Sequence, residues 1–314
     1  MDLALHPRFT AQSAHANGVS ALVFNAGRVY SASKDAQIKE WDADSFQLIR
    51  VFSGHSRWIR CLALGNGRLF SASWDNSVRE WDLETGLCVR VFEGVHESGV
   101  NSVLVDEANI RLYSASEDRI IAVYDLNSGE VIDRWEASGG IIALHHIQLN
   151  GDLGYIAAAS DNGTIGLWDA SSGELVDSSP SSSNEVTSLF LTAGRLFSAG
   201  NDKLVTEWDV SSMVKGRTFR GHSAYVSCLT GTEGESEGVP GGPRLFSGGW
   251  DGSVKVWDLV TGVCIASLRV FEGRSVNSIC LGDDGLLVTG GSNGDIKFWN
   301  LRFLASRLLM TMHR

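Results

Sequence analysis

Proline is scarce in this 314-residue chain, with four residues, and no apolar run approaches the roughly 20 residues a membrane-spanning helix requires. A proline-rich linker and a spanning helix are both excluded, and no membrane partner is expected. Positive charge is also short: 26 lysines and arginines stand against 37 acidic residues, for a formal net charge of −11. Such a surface repels phosphate backbones, so nucleic acid is a poor partner, although net charge does not fix the local distribution. The five cysteines show no paired spacing. No Cys/His cluster has metal-ligand spacing, so neither a disulfide framework, a metal nor a cofactor is expected. The opening stretch MDLALHPRFTAQ lacks a basic n-region and an apolar h-region. The expected location is cytoplasmic or nuclear, not secreted.

What the chain does have is 35 glycines, 10 tryptophans and a hydrophobic content of 43%, enough for a sizeable core. The tryptophans are ordered. Trp41-Asp42, Trp81-Asp82, Tyr124-Asp125, Trp168-Asp169, Trp208-Asp209, Trp257-Asp258 and Trp299-Asn300 recur at spacings of 40, 43, 44, 40, 49 and 42. Between these anchors lie short β-branched runs such as IKEW, VREW and VKVW, broken by Gly, Asn and Asp clusters. Short strands with regular turn signals predict an all-β fold.

With Gly54-His55 ahead of Trp81-Asp82 and Gly221-His222 ahead of Trp257-Asp258, the chain resembles the WD-repeat family of β-propellers. Units such as GRLFSASWDNSVREWD are similar to propellers linked to F-box, zinc-finger or kinase domains. The resemblance covers about residues 15–300 and implies seven radial blades of four antiparallel strands, making residues 1–314 a single propeller. TEGESEGVPGGP, residues 232–243, accounts for the longest spacing and is expected to be a mobile acidic loop. A serine-rich stretch, residues 177–184, replaces the Gly-His signature before blade 5 and reads as a solvated loop. No structure is assigned to the C-terminal tail, 303–314. Residues 3–11 or 306–312 could complete blade 7, and the family's usual closure favours the N-terminal strand.

Ten residues before each anchor lie Ser31, Ser71, Ser114, Ala158, Ser198, Ser247 and Thr289. A turn centred on residue 76 would place Ser71 directly opposite Trp81, hydroxyl against indole N–H. Asp35, Asp75, Asp118 and Asp251 sit six residues before their anchors. In the family this aspartate accepts from the upstream histidine, here His15, His55, His96 and His222. The resemblance thus implies full networks His15–Ser31–Asp35–Trp41, His55–Ser71–Asp75–Trp81 and His222–Ser247–Asp251–Trp257. A fourth, His96–Ser114–Asp118–Tyr124, has tyrosine for tryptophan. Because the same trio recurs blade after blade, a Ser/His/Asp hydrolase is a poor reading, and no catalytic residue is assigned. Phe52, Phe92, Trp135 and Phe219 each follow their anchor by eleven residues and read as outer-strand packing groups.

Three blades carry glutamate immediately before the anchor, Glu40, Glu80 and Glu207, and each is followed ten residues later by Arg50, Arg90 or Arg217. Ion pairs across the two outer strands are expected, each contributing about 0–1 kcal/mol if those strands are wet.

The loop carrying Asp75 shares a face with His55, so Trp74 lies there too, with its side chain free of the network. Trp250 occupies the same slot in blade 6 and Lys34 in blade 1, while Arg57, Trp58 and Tyr225 follow the histidines. Tryptophan, tyrosine and arginine dominate protein–protein hot spots. These six residues form the candidate partner-binding patch, against the plainer reading that the aromatics pack on neighbouring loops.

The function expected is therefore a non-catalytic scaffold or adaptor for a protein or peptide, monomeric by itself or a subunit of a larger complex. One alternative is a substrate-recognition subunit of a ubiquitin ligase or kinase assembly. Another is an enzyme or small-ligand binder using the central channel, for which Arg60, His145 and His146 are the available groups.

Overall fold

The computed structural model describes residues 2–3, 6–147, 154–181, 185–232 and 242–301. Most of the 232–243 loop and the 303–314 tail lie outside the described residues, as does the alternative closing strand, 306–312. Seven antiparallel sheets radiate from one axis. With strands a to d counted outward, blade 2 consists of Ile59–Gly65, Arg68–Ser73, Val78–Asp82 and Cys88–Phe92. The other blades repeat this plan, and each a strand touches the a strands on both sides, closing the ring. The N-terminus closes it: Phe9–Ala11 pairs antiparallel with residues 296–298 and serves as the outer strand of blade 7. Asp2–Leu3 then adds in parallel to the outer edge of blade 6, beside Ser267 and Leu268.

The core is seven apolar layers, one between each pair of neighbouring blades. In the layer between blades 1 and 2, Phe52 meets the anchor Trp81 edge-on, with ring centroids 5.8 Å apart. Phe92 with Tyr124 and Phe219 with Trp257 repeat the contact at 5.1 and 5.5 Å. Each fully buried side chain of this size contributes about 1.5–3 kcal/mol, so the ring is held together mainly between blades.

Three expectations are corrected. The b–c register centres on residue 75, not 76: Leu69 opposes Trp81 and Ser71 opposes Arg79. Ser71 and Trp81 are diagonal neighbours on one face of the pleat, and the long indole reaches back to the hydroxyl. The glutamates are not on a wet surface, since Glu40 is 5% and Glu80 8% exposed. The slot is buried in six blades and part-buried at Glu207, because it faces the interblade layer. In the serine-rich stretch, residues 177–180 belong to the outer strand of blade 4, Leu175–Pro180, and residues 182–184 lie outside the described residues.

Candidate partner-binding face

Four blades carry the complete network. In blade 2 the Trp81 indole N–H donates to Ser71 Oγ at 2.8 Å, and His55 Nε2 lies 2.7 Å from the same oxygen. His55 Nδ1 lies 2.7 Å from Asp75 Oδ2. One proton order satisfies every atom: indole to hydroxyl, hydroxyl to Nε2, and Nδ1–H to carboxylate. Blade 1 repeats it with His15 at 2.8 Å from Ser31 and 3.0 Å from Asp35, and Trp41 at 2.9 Å from Ser31. Blade 6 repeats it with His222 at 2.8 Å from Ser247 and 2.9 Å from Asp251, and Trp257 at 2.9 Å from Ser247. In blade 3, His96 lies 2.6 Å from Ser114 and 3.0 Å from Asp118, with the Ser114 and Tyr124 hydroxyls 3.3 Å apart.

These networks pin the d–a loops to the b–c turns on one rim. Burial opposes ionisation of Asp75, but hydrogen bonds from His55 and Ser77 outweigh it and hold the carboxyl well below the ordinary carboxylate range. Asp251 is held down in the same way by His222 and Ser253. All four histidines therefore have both ring nitrogens engaged. His145, a candidate channel group, is engaged too: Leu191 N–H donates to its Nε2 at 3.1 Å and its Nδ1 lies 2.9 Å from the His146 carbonyl. It stitches blade 4 to blade 5 and stays neutral. His146 turns to Asp106, 3.6 Å away.

The glutamate–arginine pairs form as well. Arg50 Nε is 3.7 Å from Glu40, Arg90 Nε 3.4 Å from Glu80 and Arg217 Nε 3.1 Å from Glu207. Two features were missed in the sequence. A second arginine, from strand b, faces each glutamate: Arg28 at 3.9 Å, Arg68 at 3.8 Å and Arg195 at 3.0 Å. The repeated spacing of twelve residues could have shown it. The outer-strand arginines also reach the next blade, Arg50 donating to the Leu83 carbonyl at 2.8 Å and Arg90 to Asn127 at 3.0 Å. Arg217 does the same to Val260 at 3.1 Å. Each pair is an interblade clamp.

On the histidine rim, the candidate patch resolves into two groups. Tyr225 and Trp250 lie with ring centroids 5.2 Å apart, and Trp250 is 56% exposed. Trp58 and Trp74 stack at 4.7 Å, both half-buried, and the Lys34 ammonium stands 3.9 Å above the Trp58 ring. Arg57 is exposed beside them. Trp74 departs from the expectation of a free side chain. Its indole N–H donates to Asn101 Oδ1 at 3.0 Å, and the Gly99 backbone packs so closely that a Cβ there would lie 2.7 Å from the Trp74 ring.

A cavity of about 450 Å³ at the mouth of the axial channel joins the two groups, with Lys34, Tyr225 and Trp250 all on its wall. Each a strand has a register shift near its start, for example between Ile59 and Cys61. This bulge turns one residue toward the axis. The residues are Ser20, Arg60, Asn101, Ile142, Thr187, Ser227 and Asn277, and all seven line the cavity. Several stitch to the next blade: Asn101 Nδ2 donates to the Ile141 carbonyl at 3.0 Å and Thr187 Oγ1 to Val226 at 2.6 Å.

Comparison with known proteins agrees with the architecture. The WD40 family pattern (WD domain, G-beta repeat) matches residues 46–82, 86–125, 213–258 and 262–300, just over half of the chain. The chain is 26% identical over 208 residues to autophagy-related protein 16 of Arabidopsis thaliana, covering 66% of this chain and 31% of that protein. It is 28% identical over 112 residues to THO complex subunit 6 of Arabidopsis thaliana, covering 35% of this chain and 29% of that protein. Human THO complex subunit 6 is 28% identical over 129 residues, 38% of this chain and 35% of that protein. The chain thus spans about a third of the length of the curated relatives it matches. With seven four-stranded blades, recurrent Trp-Asp anchors and this match, the chain belongs to the WD40 family of β-propeller proteins.

Proposed function

We propose that this propeller is a non-catalytic interaction scaffold that docks a protein or peptide across the rim bearing Trp74 and Trp250. The observation that carries the reading is the exposed Tyr225–Trp250 pair, set on the wall of the channel mouth and held by the adjacent His222 network. Large aromatics on a rigid frame bind at low entropic cost, because little has to be ordered on association. The Trp58–Trp74 stack, with Arg57 exposed at its edge, adds a second contact area. A catalytic role finds little support in the histidines, since five have both ring nitrogens committed to structure. The reading places the protein in the cytoplasm or nucleus, as a monomer or a subunit of a larger assembly.

The test is affinity purification from cell extract with the wild-type chain, Trp250→Ala and Trp74→Ala. Partners lost from Trp250→Ala, in a protein whose melting temperature is unchanged, are the expected result. Undiminished recovery of every partner by both variants would remove the rim from consideration. Recovery of ubiquitin-ligase or kinase subunits would narrow the scaffold to a substrate-recognition subunit.

A further inference from the structure

The channel mouth holds two cations, Arg60 and Lys34. Arg60 projects from the bulge of the blade 2 a strand, and its Nε donates to Asn101 Oδ1 at 3.3 Å. Lys34 sits on the blade 1 b–c turn with its ammonium against the Trp58 ring. Among the described residues, no carboxylate lies within ion-pair distance of either. The acidic groups that act on Arg60 are Glu185 of blade 5, which lies on the same cavity wall and accepts from the Asn201 amide at 2.9 Å, and Glu117 of blade 3. Arg60 lines the cavity, and among the described residues its Nη groups have no hydrogen-bond partner. Burial, with the Arg60 charge added, pulls the Lys34 ammonium below its ordinary pKa.

The two tryptophans hold this arrangement. Lys34, Trp58, Trp74, Asn101 and Arg60 form a continuous series: cation–π contact, ring stack, indole-to-amide hydrogen bond and amide-to-guanidinium hydrogen bond. Asn101 Oδ1 accepts from both Trp74 and Arg60 while its Nδ2 is fixed to the Ile141 carbonyl. Cations held in a cleft and partly desolvated gain from an anion that joins them, and a cleft focuses their field.

We propose that the channel mouth is an oxyanion site, in which Lys34 and Arg60 bind the carboxylate or phosphate of a side chain on a peptide docked across the rim. This rests on the docking reading above and gives it a chemistry. Arg60 supplies paired N–H donors that suit an oxyanion, Lys34 supplies a point charge, and Trp250 and Tyr225 on the same cavity wall receive the flanking residues. The Trp58–Trp74 stack positions the two cations, and Trp250 serves as the outer grip.

The full chain, labelled with ¹⁵N-arginine and ¹⁵N-tryptophan, would be titrated with inorganic phosphate, ionic strength being held constant with sodium chloride. The expected result is a saturable shift of the Arg60 Nε–H and Trp74 indole resonances, weakened at least tenfold in Lys34→Met and Arg60→Met. Lys34 is half-exposed, so its variant keeps the test open should Arg60→Met fail to fold. No saturable shift in the wild type, or the same shift in both cation variants, would overturn the site. Acetyl-Gly-phosphoSer-Gly-amide and acetyl-Gly-Asp-Gly-amide should each bind at least tenfold more tightly than acetyl-Gly-Ser-Gly-amide. Free phosphate binding more tightly than both anionic peptides would contradict the peptide assignment. The phosphate arm does not use Trp250, so its failure leaves the capture experiment with Trp250→Ala to judge docking by itself.

Discussion

Replacing Arg90 by alanine tests whether the interblade clamps bear on stability. Glu80 is 8% exposed and lies between Arg90 Nε at 3.4 Å and Arg68 Nε at 3.8 Å. Arg90 also donates to the Leu126 and Asn127 carbonyls of blade 3, at 3.3 and 3.0 Å. Deleting one member of a buried pair costs about 3–5 kcal/mol, because the other charge is left desolvated. Arg68 remains, and the Arg90 side chain is 32% exposed, so the expected loss is about 2 kcal/mol. Blade 6 fills the same pair of positions with Val256 opposite Ala266, 3% and 0% exposed. Glu80→Val with Arg90→Ala copies that solution and should recover about 1 kcal/mol or more of the single variant's loss. Urea unfolding, followed by tryptophan fluorescence and far-ultraviolet circular dichroism with coincident transitions, gives the free energies. A single variant within about 0.5 kcal/mol of wild type would refute the clamp, as would a double variant no better than the single.

Ser71→Ala removes the oxygen shared by the Trp81 indole and His55, leaving a buried donor and a buried acceptor unmatched. Thermal and urea melts should show a loss of about 1–3 kcal/mol. Acid should destabilise the protein in two stages. Burial pushes the His145 pKa below its ordinary 6.5, so its neutral form is the folded one and stability falls as pH drops below about 6.5. His96, lowered by burial despite Asp118, adds to the same window. Asp75 and Asp251 titrate below their ordinary 3.8 when folded, so their contribution is present above about 4 and lost below it. Melting temperature against pH should fall between 6.5 and 5.5, less steeply in His145→Gln, and a slope that this substitution leaves unchanged would remove His145 from the account.

The blades were legible because their anchors recur: a Trp or Tyr every 40 to 49 residues marks each unit, with a hydroxyl ten residues earlier in six of them and an aspartate six residues earlier in five. The glutamate–arginine pairing was legible because both partners lie in one hairpin. The Ser71–Trp81 register was missed by one residue because the bonded side chains are diagonal rather than opposed. The axial ring was missed for a different reason. Arg60 was named as a channel group and does line the mouth, but strict alternation assumes flat strands, and the bulge in every a strand changes which residue faces the channel, so Asn101 and the rest of the ring fell outside the pattern. Trp74 read as free because its partners, Asn101 and Gly99, belong to the next blade. Repeat spacing reports contacts within a blade and is silent on those between blades.

The claim that one rim grips the partner is tested most directly by photo-crosslinking in cell extract from two positions. A benzoylphenylalanine in place of Tyr225 stands on the rim beside Trp250, whereas one in place of Leu87, 67% exposed in the blade 2 c–d turn, stands on the opposite side. The account predicts adducts with a partner protein from position 225 and none from position 87. Adducts from 87 alone would contradict it.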